Sequence, residues 1–503
     1  MNGILTLDIG TTSVRAILYD GQARPCPANQ RLNPPNYHSD GRVEQDPGLW
    51  RSLLVAVLRA AGEQAAERSI AIAGIALTSQ RSSVIPVDAE GRPLHPAIMW
   101  QDVRTLPLVA ELAPHAALVQ ARTGAKISTV LSAIKMLWLR RNRPEVFAKT
   151  HRMLGIHDYA LHLLSGRFVT DHSLASRTNL LDLATRKWDE ELASIFEVDT
   201  SMLCELVAPG SVVGGLWADI AREAGLVSGT PVISAGGDQQ CAALGLGLFA
   251  SDRAVTNTGT GSYLIGHADR PHIDPETRVT CSVSALPNAY IIEAALPASG
   301  TIYRWFKETL WNGPGEDSFE ALNAEAESAG VGAHGVMLLP HFAGSGAPFW
   351  DAEARGLFYN LTLASTRGDL ARAILEGIAL DLKGGVEVLE EISGPIASIR
   401  VSGGLSASPL FNQIEADVFG KQTLRFQNGE ASSLGAFIAG AVATGLAGDY
   451  PSAFERATAD SPRRLFEPDE ANHRIYEGLR KRALALYAAL SAPEIRRLFA
   501  PSK

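Results

Sequence analysis

The sequence predicts an α/β protein made of two large domains with a central cleft. Three observations carry that expectation. The 503 residues exceed what one hydrophobic core ordinarily serves. A strand, a glycine-hydroxyl turn and a second strand occur twice, in LTLDIGTTSVRAILYD from Leu5 and in VTNTGTGSYLIG from Val255, with Gly10 and Gly259 249 residues apart. In PVISAGGDQQ and IRVSGGLSASP an apolar strand runs into paired glycines and then a helix. Composition agrees, at 46% hydrophobic and 20% charged residues.

In the first repeat, Ile4 to Ile9 and Val14 to Tyr19 read as strands, with Gly10, Thr11, Thr12 and Ser13 as the turn. Glycine and hydroxyl side chains gather N–H and O–H donors at one point, which cradles an anion without many positive charges. Arg15 adds a fixed cation. Asp8 would repel bound phosphates unless a divalent cation stood between them, so the stretch points to Mg2+ held by Asp8, through water, beside a nucleotide. The plainer alternative is a tight hairpin whose Thr and Ser merely satisfy the turn. The second copy, at Gly259, Thr260 and Ser262, implies a duplicated domain with a nucleotide between the copies.

With DIGTTS and NTGTGS the chain resembles, nearly end to end, the FGGY family of carbohydrate kinases, within the actin, hexokinase and Hsp70 ATPase superfamily. The resemblance implies two ribonuclease H-like (actin-like ATPase) domains, residues 1–246 with the sugar site and the base, and residues 247–503 with the nucleotide site. It also implies ATP and Mg2+ as cofactors and a small sugar or polyol as partner.

The remaining elements fit in order. VEQDPGLW from Val43 starts a helix with Asp46 as N-cap and Pro47 in its first turn. IAIAGIALTSQRSS is a strand ending in a loop at Gln80, Arg81 and Ser82, where the family contacts its sugar. AIMWQDVRT places Trp100 and Asp102 on another loop similar to a family element, an aromatic face for the sugar's C–H side and a carboxylate for its hydroxyls. STVLSAIKMLWLRRN reads as a core helix with Val130, Leu131, Ile134, Leu137 and Trp138 on one side, and nothing chemical is assigned to it. PVISAGGDQQ presents Asp238 at the start of a helix, which on spacing alone is as well explained by capping; by resemblance Asp238 is the catalytic base and Gln239 a sugar contact. GLFYNLTLASTRGDLARAILEG fits a second family signature except for Asn360 where glycine is usual. By resemblance Gly403, Gly404 and Ser408 contact the adenosine, with Gly300 and Arg304 nearby. The chain from about Ser452 reads as a solvated helical cap.

Several classes fall away. A net charge of -9 disfavours a nucleic-acid surface, which needs clustered Lys and Arg. No apolar run is long enough for a membrane span and no basic-then-apolar leader opens the chain, so a cytoplasmic protein is expected. Cys26, Cys204, Cys241 and Cys281 form no CxxC pair and read as reduced thiols. GLGLFA follows a helix-like segment and FGKQ lacks the upstream glycine and the hydroxyl, so neither a dinucleotide fingerprint nor a P-loop is present.

The expected reaction is phosphoryl transfer from ATP, with the two hairpins and Mg2+ neutralising the phosphates and Asp238 taking the proton of the acceptor hydroxyl. Glycerol kinases carry Gln-Arg-Glu where this chain has Gln80, Arg81 and Ser82, so a ketopentose such as D-xylulose is the first expectation. GSGAPFWD from Gly344 and ASRT from Ala175 look more like glycerol kinases and keep glycerol or another polyol as the alternative. An Hsp70-like or actin-like ATPase, or a silent sugar sensor, is the distant rival. A homodimer is left open.

Overall fold

A computed structural model of the chain describes residues 2–310, 318–426 and 430–499. Strands are numbered here over its two main sheets. The first holds β1 (Asn2–Ile9), β2 (Ser13–Tyr19), β3 (Asn29–Leu32), β4 (Ala71–Ser79), β5 (Ser211–Gly215) and β6 (Pro231–Gly237), in the order β5-β6-β4-β1-β2-β3. The second holds β7 (Arg253–Thr258), β8 (Ser262–Ala268), β9 (Thr280–Val283), β10 (Tyr290–Leu296), β11 (Ser398–Ser402), β12 (Gln422–Phe426) and β13 (Arg463–Phe466), in the order β9-β10-β8-β7-β11-β12-β13.

Pairing directions repeat between the sheets. β1 is antiparallel to β2 and parallel to β4, which is parallel to β6, and β5 closes that edge antiparallel. β7 is antiparallel to β8 and parallel to β11, which is parallel to β12, and β13 closes that edge antiparallel. The short match around Gly10 and Gly259 therefore extends to the wiring of a whole sheet, as a duplicated domain requires.

The central strands are covered on both faces, which is why they read as unbroken apolar runs. Ile4, Leu5, Leu7 and Ile9 of β1 are all buried. One face of the first sheet takes helix Gly48–Glu67 through Trp50, Leu54 and Leu58. Asp46 accepts the Gly48 amide at 2.8 Å and Pro47 already has helical angles, so this helix enters as the sequence predicts. The other face takes helix Ala431–Ala443 from the second half of the chain, whose Ala436, Phe437 and Ile438 pack with Ile4, Ile17, Ala76 and Ile233. That helix also meets helix Asp238–Gly245 backbone to backbone: a Cβ at Gly435 would lie 1.9 Å from the Cys241 carbonyl oxygen, and one at Gly245 2.0 Å from that of Ala431. Small residues in ASSLGAFIAGAVA thus serve close packing.

Two local expectations are corrected, and the turn at Asn360 is defined. The helix expected from Ser128 begins at Ser132 and is buried nearly all round, not along one stripe. Fully buried Lys135 draws in the carbonyls of Thr129, Val130 and Leu131, at 2.7, 2.5 and 3.1 Å, and holds them as a turn outside the helix. Asn360 adopts φ +65°, the left-handed conformation that glycine would supply, and its amide donates to the Gly335 carbonyl at 3.1 Å. The closing segment is not a solvated cap. Arg463–Phe466 is the edge strand β13, and helix Glu470–Leu490 sends fully buried Tyr476 to Arg372 and Glu376, at 2.8 Å each. Its buried Tyr476, Leu479 and Ala483 form a stripe at helical spacing that the charged residues around it obscure.

The four cysteines are buried and unbridged. Among the described residues no helix is long and apolar enough to cross a membrane.

Candidate active site

The site is built from strand ends. β6 runs into Gly236, at φ +130°, a conformation reserved for glycine, and Gly237 then caps helix Asp238–Gly245. Asp238 is thereby delivered to the helix start with its side chain 26% exposed. Its carboxylate accepts the Gln239 amide at 2.7 Å and lies 3.4 Å from Arg81 Nε. Burial pushes its carboxyl above the usual range, while Arg81 opposes that shift. A buried chain of hydrogen bonds backs the turn. The Gly237 amide donates to Ser173 Oγ at 3.0 Å, Ser173 Oγ donates to Asp171, and Ser234 Oγ donates to Asp171 Oδ2 at 2.6 Å. His157 bonds Ser234 Oγ at 2.8 Å and is fully buried, so it belongs to this scaffold.

The residues expected on the acceptor side divide in two. Arg81, Trp100, Asp238 and Gln239 are placed around the turn ends; Trp100 Nε1 donates to Thr11 Oγ1 at 3.1 Å, and the buried Oε1 of Gln239 has no partner among the described residues. Gln80, Ser82 and Asp102, expected to contact the acceptor, have polar atoms bonded within the protein. Gln80 is 2% exposed and donates to the Gly10 carbonyl at 3.2 Å. Ser82 Oγ donates to the Arg177 carbonyl at 3.1 Å. Asp102 is fully buried, with its oxygens taken by the Val43 amide at 2.7 Å and by Arg104 at 2.7 to 3.0 Å.

Three further groups converge here that the sequence did not single out. Glu293, on β10, accepts both Arg81 Nη1 and Nη2 at 3.2 Å, and Arg177 Nη2 lies 4.0 Å from its other oxygen. Burial raises the Tyr263 hydroxyl on β8, with Glu293 and Asp238 reinforcing and Arg81 and Arg177 opposing that shift. The available signal was an acid in the middle of the apolar strand YIIEAAL, which demands a buried cationic partner.

The nucleotide-side residues also sort by what they have left to offer. The amides of Gly10 and Gly259 close their own turns, on Ser13 O at 3.0 Å and Gly261 O at 2.9 Å, so the glycines shape the hairpins instead of donating outward. Gly300 is pressed onto the same turn: its amide donates to Gly259 O at 3.0 Å, and a Cβ would come within 2.3 Å of that oxygen. Gly403, at φ +88°, lies against the Thr258 carbonyl in the same way, whereas Gly404 faces open space. Ser13 is buried, and the Ser408 hydroxyl caps its own helix at the Phe411 amide, 3.4 Å away. Arg15 is paired with Glu430, which precedes helix Ala431–Ala443. Thr12, Thr260 and Arg304 are exposed.

Comparison with known proteins decides the family. The model for the FGGY family of carbohydrate kinases, N-terminal domain, matches residues 3–245, and that for its C-terminal domain matches residues 254–444. The chain belongs to the FGGY family of carbohydrate kinases. It is 35% identical over 477 residues to a glycerol kinase of Alkalilimnicola ehrlichii, covering 92% of this chain and 94% of that protein. A ligand-bound xylulose kinase from Lactobacillus acidophilus superposes with a TM-score of 0.91 at 25% identity, covering 98% of this chain and 99% of that one. Plasmodium falciparum glycerol kinase with ADP does so with a TM-score of 0.89 at 26% identity, covering 97% and 98%.

As an FGGY kinase the protein is an ATP-dependent phosphotransferase with an alcohol group as acceptor. Asp8 tests whether the site suits a divalent cation. No hydrogen bond engages its carboxylate among the described residues, and burial, then the neighbouring Asp238, push its carboxyl up to about 7. A carboxylate disfavoured by its surroundings in this way gains from a cation beside it. Mg2+ is a cation held by one or two carboxylates together with phosphates and water, a donor set that the Asp8 carboxylate can join. When bound there it would supply charge neutralisation for the phosphates.

Proposed function

We propose that this FGGY kinase transfers the γ-phosphoryl group of ATP to a hydroxyl of a small neutral polyol or ketose, with Asp238 accepting the hydroxyl proton. The observation that carries the reading is the position of Asp238: first in its helix, partly exposed, beside Arg81, and faced across the cleft by Tyr263 and Glu293 of the second sheet. A carboxylate is a weak base, so its contribution comes from aim, at about 10²–10⁴-fold. Arg81, Trp100 and Gln239 orient the acceptor; Thr12, Thr260, Arg304 and Gly404 line the nucleotide side, and Asp8 would hold Mg2+ through water. Residues 1–246 and 247–503 serve as the two lobes, hinged near Leu246, and helix Ala431–Ala443 reaches back to brace the base's helix.

Two acceptors are supported by different observations. Glycerol is favoured by the names of the most similar sequence relatives, including the Alkalilimnicola protein. A ketopentose such as D-xylulose is favoured by the sugar loop: with Ser82 turned back to Arg177, no acid projects from it. A longer acceptor would extend along the cleft, because the cavity behind the loop, lined by Gln80, Ser83, Asp158 and Thr178, measures about 30 Å³, room for roughly one water. Steady-state ADP release with Mg-ATP over glycerol, D-xylulose, D-ribulose and no acceptor, with the product identified by 31P NMR, tests the reading. The reaction class predicts acceptor-dependent turnover; hydrolysis equal in every arm would refute it.

A further inference from the structure

Around Asp238 four buried or half-buried charges alternate in sign: Asp238, Arg81, Glu293 and Arg177, with side-chain exposures of 26, 9, 5 and 10%. Three come from the first half of the chain. Glu293 alone comes from the second, in the middle of β10, and reaches across the cleft. Arg81 is thus contested. Its Nε lies 3.4 Å from Asp238 Oδ1, while both its Nη atoms lie 3.2 Å from Glu293 Oε2, and Gln240 Oε1 is 3.3 Å from Nη1. Arg177 competes weakly for Glu293 at 4.0 Å, and its Nε and Nη1 are buried without partners among the described residues.

A guanidinium this buried needs a carboxylate, and among the described residues two, Asp238 and Glu293, lie within ion-pair distance. If Glu293 did not hold it, Arg81 would close its fork on Asp238, the bidentate geometry that arginine and carboxylate favour. That would bury in an ion pair the lone pair that a substrate hydroxyl has to find.

We infer that Glu293 is a positioning residue for the reaction: contributed by the opposite lobe, it draws the Arg81 guanidinium off Asp238 and leaves that carboxylate free to accept the acceptor's proton. The base is then ready only when the two lobes stand together. Opening the cleft would return Arg81 to Asp238 and silence the base when no acceptor is enclosed. The inference rests on Asp238 being the proton acceptor. Among the described residues, the charged or titratable groups acting on or with Asp238 are Arg81 and Arg177 from its own lobe, Asp8 on β1, Cys241 on its own helix, and Glu293 and Tyr263 from the other lobe. Burial comes first in holding the Asp238 carboxyl up, with Arg81 and Arg177 opposing and Glu293 reinforcing it.

The test is the pH profile of kcat/KM in the full-length enzyme, with saturating Mg-ATP and whichever of glycerol and D-xylulose is turned over. Glu293→Gln keeps the shape and removes the charge. It should lower kcat about tenfold, change the acceptor KM less, and move the acid limb down by about one pH unit as Arg81 closes on Asp238. Glu293→Asp keeps the charge but shortens its reach to Arg81, so the same limb should again move down. An acid limb unmoved in Glu293→Gln, with any loss confined to KM or to thermal stability, would overturn the inference. Should Glu293→Gln fail to fold, Glu293→Asp decides alone: a downward shift supports the inference and an unmoved limb overturns it. Asp238→Asn run alongside separates the two failures. An inactive Asp238→Asn with unmoved limbs removes only the role of Glu293, whereas an active Asp238→Asn removes the base.

Discussion

At the scale of single residues, the site separates side chains that shape from side chains that remain available. Thr11 and Thr260 are equivalent in sequence, yet the Thr11 hydroxyl accepts from Trp100 Nε1 and so ties the first hairpin to the loop carrying Trp100. Thr260 is exposed and carries no such tie. Thr260→Val is therefore the cleaner probe of the nucleotide side. Losing one hydrogen bond to a charged phosphate costs about 1.5–3 kcal/mol, so the KM for ATP should rise about tenfold or more with the acceptor KM unchanged; initial-rate kinetics with each substrate varied in turn would show it, and a matched rise in both would place Thr260 elsewhere. The sequence revealed the residues that punctuate strand ends, Asp8, Gly236, Gly237 and Asp238, because a strand, glycines and an acid leave a local pattern. It did not reveal Arg177, Tyr263 and Glu293, whose relation to Asp238 exists only once two sheets face each other. Nor did it show that Gln80, Ser82 and Asp102 have their polar atoms occupied by backbone and by Arg104, since residue type says nothing of a side chain's partners.

At the scale of elements, helix Pro409–Phe419 carries an unusual load. Glu415 is fully buried against the second sheet and neither of its oxygens has a partner among the described residues. Burial pushes its carboxyl from 4.5 up to about 8. A carboxyl raised in the folded state contributes stability that is intact below its unfolded value and is lost as pH climbs through the folded one. Stability should therefore fall between about pH 4.5 and 8, with a slope of up to about 1.4 kcal/mol per pH unit from this group. Glu415→Gln should remove that slope; urea denaturation at several pH values measures it, and parallel curves for variant and wild type would show that Glu415 does not titrate as its burial implies. Elements with a clear period were legible: β1, β2, β4 and the helix from Gly48 are where their apolar patterns put them. Helix Ser132–Asn142 was misread at its start because Lys135, polar by type, is a core residue bonding three carbonyls.

At the scale of the whole molecule, the duplication was visible in a few residues around Gly10 and Gly259 and proves to be a duplicated sheet topology. What no pattern announced is that the halves are interlocked. Helix Ala431–Ala443 lies on the first sheet and against the helix that carries Asp238, with Gly245 and Gly435 at the contact. If the lobes move as proposed, that movement acts through the helix carrying Asp238, which would connect architecture to the gating that a kinase needs to exclude water. The central claim is that this interlocked frame aims Asp238 at an acceptor hydroxyl. Single-turnover phosphoryl transfer by Asp238→Asn, with ATP and acceptor binding measured separately, tests it most directly. The account predicts at least about a hundredfold slower transfer with both affinities within a few-fold of wild type; transfer at the wild-type rate would contradict it.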